Sequence, residues 1–167
     1  MGFLDGLFGK NQLPTVTSIL PAAAKNEIMA GRLPILNSDT LFTKKGEKIH
    51  LIDKAMSMEV KTKKVFEHIG MSAPGLFKGN RINYGRGRPI EKQENVYHAG
   101  ILFITNTRIV FQATDSGFDK DYKHLTAVVP YSNAIELQFG NKTYTLLVAE
   151  GDVVNQAIQL IKQRRQY

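Results

Sequence analysis

The stretch from Ala99 to Gln112, AGILFITNTRIVFQ, constrains the fold more than any other part of the chain. Four consecutive apolar, β-prone residues lead into the turn-forming triplet Thr105-Asn106-Thr107, and a second apolar run follows it. This pattern is typical of two strands joined by a short polar turn. Because both arms are almost continuously apolar, we expect the hairpin to lie in the core of a sheet.

Further strands are predicted on both sides of this hairpin. Apolar and polar residues alternate from Ile52 onward, which indicates a half-buried strand that runs to about Thr62. A loop rich in Asp and Gly is predicted from Thr114 to Asp121, and the pair Gly140-Asn141 indicates a two-residue hairpin turn. The other predicted strands are Gly75 to Tyr84, Val96 to Ile104, Arg108 to Gln112, Leu125 to Pro130, Ile135 to Phe139 and Thr143 to Val148.

Two helices complete the predicted fold. Pro21 suits the first position of a helix and Gly31 suits its end, so a short helix is predicted near residues 21–30, as a satellite of the core. Asp152 can cap a second, amphipathic helix whose basic last turn opposes the negative end of the helix dipole. The sequence therefore predicts a mainly β (α+β) fold of about seven antiparallel strands, residues 41–167, after an N-terminal leader, residues 1–40.

Composition excludes several classes of protein. The chain has no Cys, so it forms no disulfide and offers no thiolate ligand or cysteine nucleophile. No run of about 18 apolar residues is present, so no membrane-spanning helix is expected. The N-terminal sequence MGFLDGLFGK lacks the basic start and long apolar stretch of a secretion signal. We therefore expect a cytoplasmic protein that reaches the inner membrane face only as a peripheral protein.

The residue patterns that catalysis requires are missing from the sequence. The chain has no G-x-S-x-G elbow, and Gly70 and Gly75 are followed by Leu76-Phe77 where a phosphate-binding loop needs Lys and then Ser or Thr. The histidines do not pair at helical metal-ligand spacing and are expected to be structural; they are His50, His68, His98 and His124. We expect no catalytic residue, no metal and no cofactor, and therefore a non-enzymatic protein.

The excess of positive over negative charge lies in one segment of the chain. The net charge is +7, and between Lys44 and Lys92 there are 12 Lys and Arg against 5 Asp and Glu, an excess of seven. If the first strand and the predicted strand from Gly75 to Tyr84 pair antiparallel, the cations of both gather around one loop, where Lys and Arg can hold phosphate groups. The alternative is a solvated face that guards a strand edge. The candidate anion-binding residues are Lys61, Lys63, Lys64, Lys78, Arg81, Arg86 and Arg88.

The extreme N-terminus is the second candidate contact surface. Phe3, Leu4, Leu7 and Phe8 share one face of a helix, and such a segment can lie in a membrane interface or dock into a groove of a partner. The alternative is that it packs on the sheet of its own chain.

The hairpin also carries a family resemblance. The stretch Gly100 to Phe111, followed by the apolar runs Leu125 to Val129 and Ile135 to Leu137, resembles the GRAM-like branch of the pleckstrin-homology superfamily, as found in bacterial proteins. The likeness covers about Leu41 to Ile161. It implies a bent sandwich or partly open barrel of seven strands that is capped by the closing helix. In such folds ligands are often taken at the loop between the first two strands, and Arg86 with Arg88 looks like the Arg-x-Arg pair of some lipid-binding members.

These observations lead to one expected function and two alternatives. We expect a module that binds anionic phospholipid head groups, or an acidic protein, through the basic loop. The first alternative is a protein-interaction or scaffold module that uses a strand edge or the apolar N-terminus. Nucleic-acid binding is less favoured, because only Phe77 and Tyr84 stand among the cations as possible stacking partners for bases.

Overall fold

The computed structural model describes residues 13–67 and 88–165 of the chain. Within these ranges the helices are α1, Ala22–Met29, and α2, Gly151–Arg165. A single 3₁₀ turn, Tyr122–His124, joins the fourth strand to the fifth. The strands are β1 Ile49–Glu67, β2 Arg88–Thr105, β3 Arg108–Ala113, β4 Gly117–Asp121, β5 Leu125–Pro130, β6 Ala134–Phe139 and β7 Lys142–Val148.

The seven strands form one curled antiparallel sheet in the order β4-β3-β2-β1-β7-β6-β5. Strands that are consecutive in sequence are neighbours in the sheet, except β4 and β5, which lie at its two edges. Strand β7 pairs with β1. The predicted mainly β class, the strand number, the short first helix and the closing helix are confirmed. The predicted strand from Gly75 to Tyr84 lies outside the described residues.

The described residues divide into two compact units. One contains residues 13–58 and 97–165, and the other contains residues 59–67 and 88–96. Strands β1 and β2 contribute residues to both units. No helix within the described ranges is long and apolar enough to cross a membrane.

The predicted hairpin forms the centre of the main core. Leu102 pairs with Phe111 and Ile104 with Ile109 across β2 and β3, and all four side chains are buried against the inner layer. Helix α2 covers this layer with its apolar face, which consists of Val153, Val154, Ala157, Ile158 and Ile161. Burial of each large side chain contributes roughly 1.5–3 kcal/mol, so the shared core stabilises both the hairpin and the helix.

The opposite face of the hairpin is also covered, by the N-terminal leader. Phe103 and Val110 point away from α2 and pack with Leu36 and Leu41, which precede β1. A second patch on this face buries Leu147 with Met56, and Leu13 and Val16 of the leader pack against it. The hairpin sequence is continuously apolar because both of its faces are buried.

Helix α1 is part of the core, which corrects its prediction as a satellite. Ile28 has no exposed surface and belongs to the same cluster as the hairpin and α2. The helix itself is weakly amphipathic, with only Ala24 and Ile28 buried. Its sequence therefore carried little signal of how deeply one of its side chains packs.

The prediction of a loop from Thr114 to Asp121 is wrong in its second half, because Gly117–Asp121 forms β4. Phe118 of this strand pairs with Phe111 and stacks on Tyr144, with the two ring centroids 4.2 Å apart. The acidic residues of β4 face outward, on the side opposite the buried Phe118 ring. Asp and Gly are typical of loops, so the composition predicted a loop where one aromatic residue holds a strand. Helix α2 also begins at Gly151, which places Asp152 in its first turn.

Candidate functional site

The predicted basic segment is partly described by the structure. Lys61, Lys63 and Lys64 lie exposed in the last third of β1. Arg88 is the first residue of β2, which is the hydrogen-bonded neighbour of β1. Lys78, Arg81 and Arg86 lie outside the described residues. The prediction paired the first strand with a strand from Gly75 to Tyr84, which lies outside the described residues. Within them, the partner of β1 is β2, which begins at Arg88.

An ion pair fixes where the two strands meet. The Lys63 ammonium lies 2.5 Å from the Glu94 carboxylate, and both side chains are more than half exposed. Since β1 ends four residues after Lys63 and β2 begins six residues before Glu94, the end of one strand lies beside the start of the other. The chain between them, residues 68–87, starts and finishes at this end of the strand pair.

The charge on the described part of this strand pair is nearly balanced. Between residues 59 and 96, the described side chains include Lys61, Lys63, Lys64 and Lys92 against Glu59, Glu91 and Glu94. By contrast, residues 68–88 contain four Lys and Arg and no Asp or Glu. The excess of positive charge in the basic segment therefore comes mainly from residues 68–88, which connect β1 to β2 and include the first residue of β2.

A second basic cluster, which the sequence reasoning missed, surrounds a pocket of about 340 Å³. The pocket lies between the start of β1, the turn between β2 and β3, and the last turn of α2. Its described lining residues are Leu33, Gly46, Lys48, His50, Asn106, Ile161, Arg164 and Arg165. The cations of this cluster come from positions more than 100 residues apart, and in sequence Arg164 and Arg165 looked like ordinary compensation of the helix dipole.

His50 is the buried polar residue of this pocket. Its Nδ1 lies 2.7 Å from the Pro34 carbonyl oxygen, which can only accept, so Nδ1 carries the proton. Burial, followed by repulsion from Arg164 and Lys48, lowers the pKa of the ring, which the hydrogen bond to Pro34 only partly offsets. His50 is therefore neutral at pH 7, and Nε2 is the nitrogen that can accept a hydrogen bond.

A buried ion pair lies on the same turn. Glu47 has no exposed side-chain surface, and its Oε1 accepts hydrogen bonds from Arg108 Nε at 2.8 Å and from the hydroxyls of Thr105 and Thr107 at 2.8 and 3.0 Å. Its Oε2 accepts from the backbone N–H of Lys44 at 2.7 Å. The carboxylate thus ties the chain that precedes β1 to the turn of the central hairpin.

The protonation state of Glu47 follows from these bonds. Burial alone would raise the pKa of the carboxyl, but the hydrogen bonds from Arg108, Lys44, Thr105 and Thr107 outweigh it and lower the pKa to about 2. The Arg108 guanidinium also bonds Asp119 and the Phe42 carbonyl. Because every polar atom of the pair is occupied within the protein, we interpret it as a structural element.

The other predicted contact surfaces are the apolar N-terminus and a strand edge. Phe3, Leu4, Leu7 and Phe8 lie outside the described ranges. The sheet edges are short, five residues in β4 and six in β5, and β5 ends at Pro130. The described residues contain no group of three or more His, Asp or Glu side chains placed to hold a metal ion.

Comparison of the chain with protein-family models, with curated protein sequences and with solved structures finds no match. Inference about function therefore depends on the charges and geometry of the chain itself.

Proposed function

We propose that this protein is a non-enzymatic binding module that associates with anionic phospholipid head groups at a cytoplasmic membrane face. The contact is made by the basic loop, residues 68–87, together with Lys61, Lys63, Lys64 and Arg88 beside it. The observation that supports the proposal is the pairing of β1 with β2. This pairing supports the proposal because residues 68–87, which connect the two strands, carry further cations and no acid.

The magnitude of the attraction is sufficient for reversible binding. A Lys or Arg near an anionic bilayer contributes about 1 kcal/mol, so a cluster of this size gives several kcal/mol at low salt. Lys63 contributes less than the others because Glu94 already compensates its charge. Exposed charges are screened within about 10 Å at 0.1 M salt, so the binding must weaken as salt is added.

The fold supports the same proposal. A curled sheet of seven antiparallel strands, a helix that closes it, and a basic loop after the first strand are the features that the GRAM-like assignment implies. We extend the proposal to membership of this branch of the pleckstrin-homology superfamily.

Co-sedimentation with phospholipid vesicles tests the function. The full chain is expected to sediment with vesicles that contain phosphatidylglycerol, to sediment less at high salt, and to stay in solution with phosphatidylcholine alone. The double variant Arg86→Glu, Arg88→Glu lowers the net charge from +7 to +3. The loss of two contacts predicts at least about 30-fold weaker binding.

The matched control is Lys123→Glu, Lys142→Glu, which makes the same change of net charge at exposed positions outside the basic segment. It should bind within about twofold of the unmodified chain if local charge decides the contact. An equal loss of vesicle binding in both double variants would show that net charge, and not the basic loop, decides the contact. No sedimentation of the unmodified chain at low salt would exclude the proposal. Capture of a protein partner that resists salt but needs residues 1–10 would instead support the protein-interaction alternative.

A further inference from the structure

We infer that the pocket between the last turn of α2, the start of β1 and the β2–β3 turn is a binding site for a phosphate monoester. This site is separate from the basic loop and does not depend on the proposed membrane contact, because all its described lining residues lie in the unit formed by residues 13–58 and 97–165.

The lining of the pocket is basic. Lys48, Arg164 and Arg165 all border the pocket, and no acidic side chain is among its described lining residues. The nearest acidic partner belongs to Arg165, whose Nη2 lies 3.9 Å from Asp121 Oδ1. The carbonyl end of α2 adds a partial negative charge of about half a unit. Three cations, less the charge of Asp121 and the half charge of the helix end, leave about 1.5 positive charges uncompensated.

The cations that line the pocket are available to a ligand. Arg165 is held in place, since its Nη1 donates to the carbonyl oxygens of Asn106 at 3.0 Å and Thr107 at 3.4 Å and its guanidinium lies over the Tyr122 ring. Lys48 and Arg164 make no ion pair or side-chain hydrogen bond with any described residue. Their charges therefore face the pocket without a protein partner.

The wall of the pocket is rigid at the point where Lys48 enters it. Asn106 accepts a hydrogen bond from the Lys48 backbone N–H at 2.9 Å and donates to the Gly46 carbonyl at 3.1 Å. Its own backbone N–H donates to the Lys48 carbonyl at 3.0 Å. Three hydrogen bonds thus fix the turn between β2 and β3 against the start of β1. A preformed wall lowers the ordering cost of binding.

The remaining lining residues select the kind of anion. An uncompensated charge of about 1.5 matches a phosphate monoester, which carries about 1.5 to 2 negative charges at pH 7, better than a carboxylate with one. Arg supplies a fork of donors for phosphate oxygens and Lys a mobile point charge. His50 offers Nε2 as an acceptor for a ligand hydroxyl, and Leu33 with Ile161 forms an apolar wall. A phosphorylated polyol or glycerol backbone presents all these features.

Nuclear magnetic resonance of the His50 ring tests the site on the full chain, with glycerol 3-phosphate as the probe. Saturable shifts of the His50 ring signals are expected. Arg164→Glu, and separately Lys48→Glu on another element, should weaken binding about tenfold or more, the usual cost of a lost charge-assisted contact. Lys162→Glu is the matched control, because it changes the same charge on the same turn of α2 without lining the pocket, and it should bind within about twofold.

Vesicles distinguish the two sources of such a phosphate. Phosphatidic acid presents a monoester at a membrane, whereas phosphatidylglycerol of equal surface charge presents a diester. If the monoester comes from lipid, phosphatidic acid vesicles shift the His50 signals and Arg164→Glu abolishes the preference for them. If the monoester comes from a soluble metabolite, glycerol 3-phosphate shifts the His50 signals and phosphatidic acid vesicles do not. Absence of saturable shifts with both probes would overturn the inference, as would equal weakening by Arg164→Glu and Lys162→Glu.

Discussion

Replacement of Glu47 by Gln should uncouple the chain before β1 from the central hairpin at nearly constant volume. The carboxylate accepts hydrogen bonds from Arg108, Thr105, Thr107 and the Lys44 backbone N–H, and its side chain has no exposed surface. The neutral amide keeps the shape but removes the charge that compensates Arg108. A buried guanidinium then retains only Asp119 as an anionic partner, and that side chain is half exposed.

The magnitude follows from the pKa of Glu47. The pKa is lowered from 4.5 to about 2 on folding, so ionised Glu47 stabilises the folded state by about 3 kcal/mol at pH 7. Because the folded pKa is the lower one, this contribution is complete above the unfolded pKa of 4.5 and is lost as pH falls towards 2. We expect a difference between the unmodified chain and Glu47→Gln of about 3 kcal/mol at pH 7, about 1.5 at pH 3 and under about 0.5 at pH 2.

Urea unfolding of both proteins at these pH values measures the difference directly, through the free energy of unfolding at each pH. Glu150→Gln is a control, because Glu150 forms an exposed ion pair with Lys25 and its loss should cost no more than about 1 kcal/mol. A difference for Glu47→Gln that stays constant from pH 7 to pH 2 would refute the assignment of its effect to the ionised carboxylate.

Two further substitutions test packing by unfolding measurements. Gly100→Ala should cost about 2 kcal/mol or more, since a Cβ there would lie 2.2 Å from the Gln112 carbonyl oxygen, whereas Gly140→Ala, with open space around it but a φ of +60°, should cost only about 1 kcal/mol. Equal costs at the two glycines would contradict the close approach of β2 and β3. Ile28→Ala should cost about 2–5 kcal/mol because Ile28 is fully buried, and Ile35→Ala, 61% exposed, under about 0.5 kcal/mol. A small loss of stability in Ile28→Ala would contradict the assignment of α1 to the core.

Local patterns were enough to predict much of the sheet. The central hairpin, the turn at Gly140-Asn141 and helix α2 each carry their signal within about 15 consecutive residues. Consecutive antiparallel strands bring together the residues near their connection. The predicted gathering of the basic residues depends on the strand from Gly75 to Tyr84, which lies outside the described residues, and it stays a prediction.

The parts that the sequence did not predict depend on contacts between distant segments. Strand β4 is held by Phe118 on Tyr144, and Ile28 is buried by elements that follow it by many residues. The pocket joins Lys48 to Arg164, which no local spacing could reveal. No local pattern marks the role of Glu47, because its partner Arg108 lies 61 positions away.

The most direct test of the proposed membrane contact is paramagnetic broadening of backbone amide signals by a spin-labelled lipid in anionic bicelles. The account predicts broadening at residues 61–64 and throughout residues 68–88, and unaffected signals in β5 at the far edge of the sheet. Removal of the anionic lipid or addition of salt should restore the broadened signals. Broadening confined to residues 3–8, or broadening of β5 with none at residues 68–88, would contradict the central claim that the basic loop is the surface that meets the membrane.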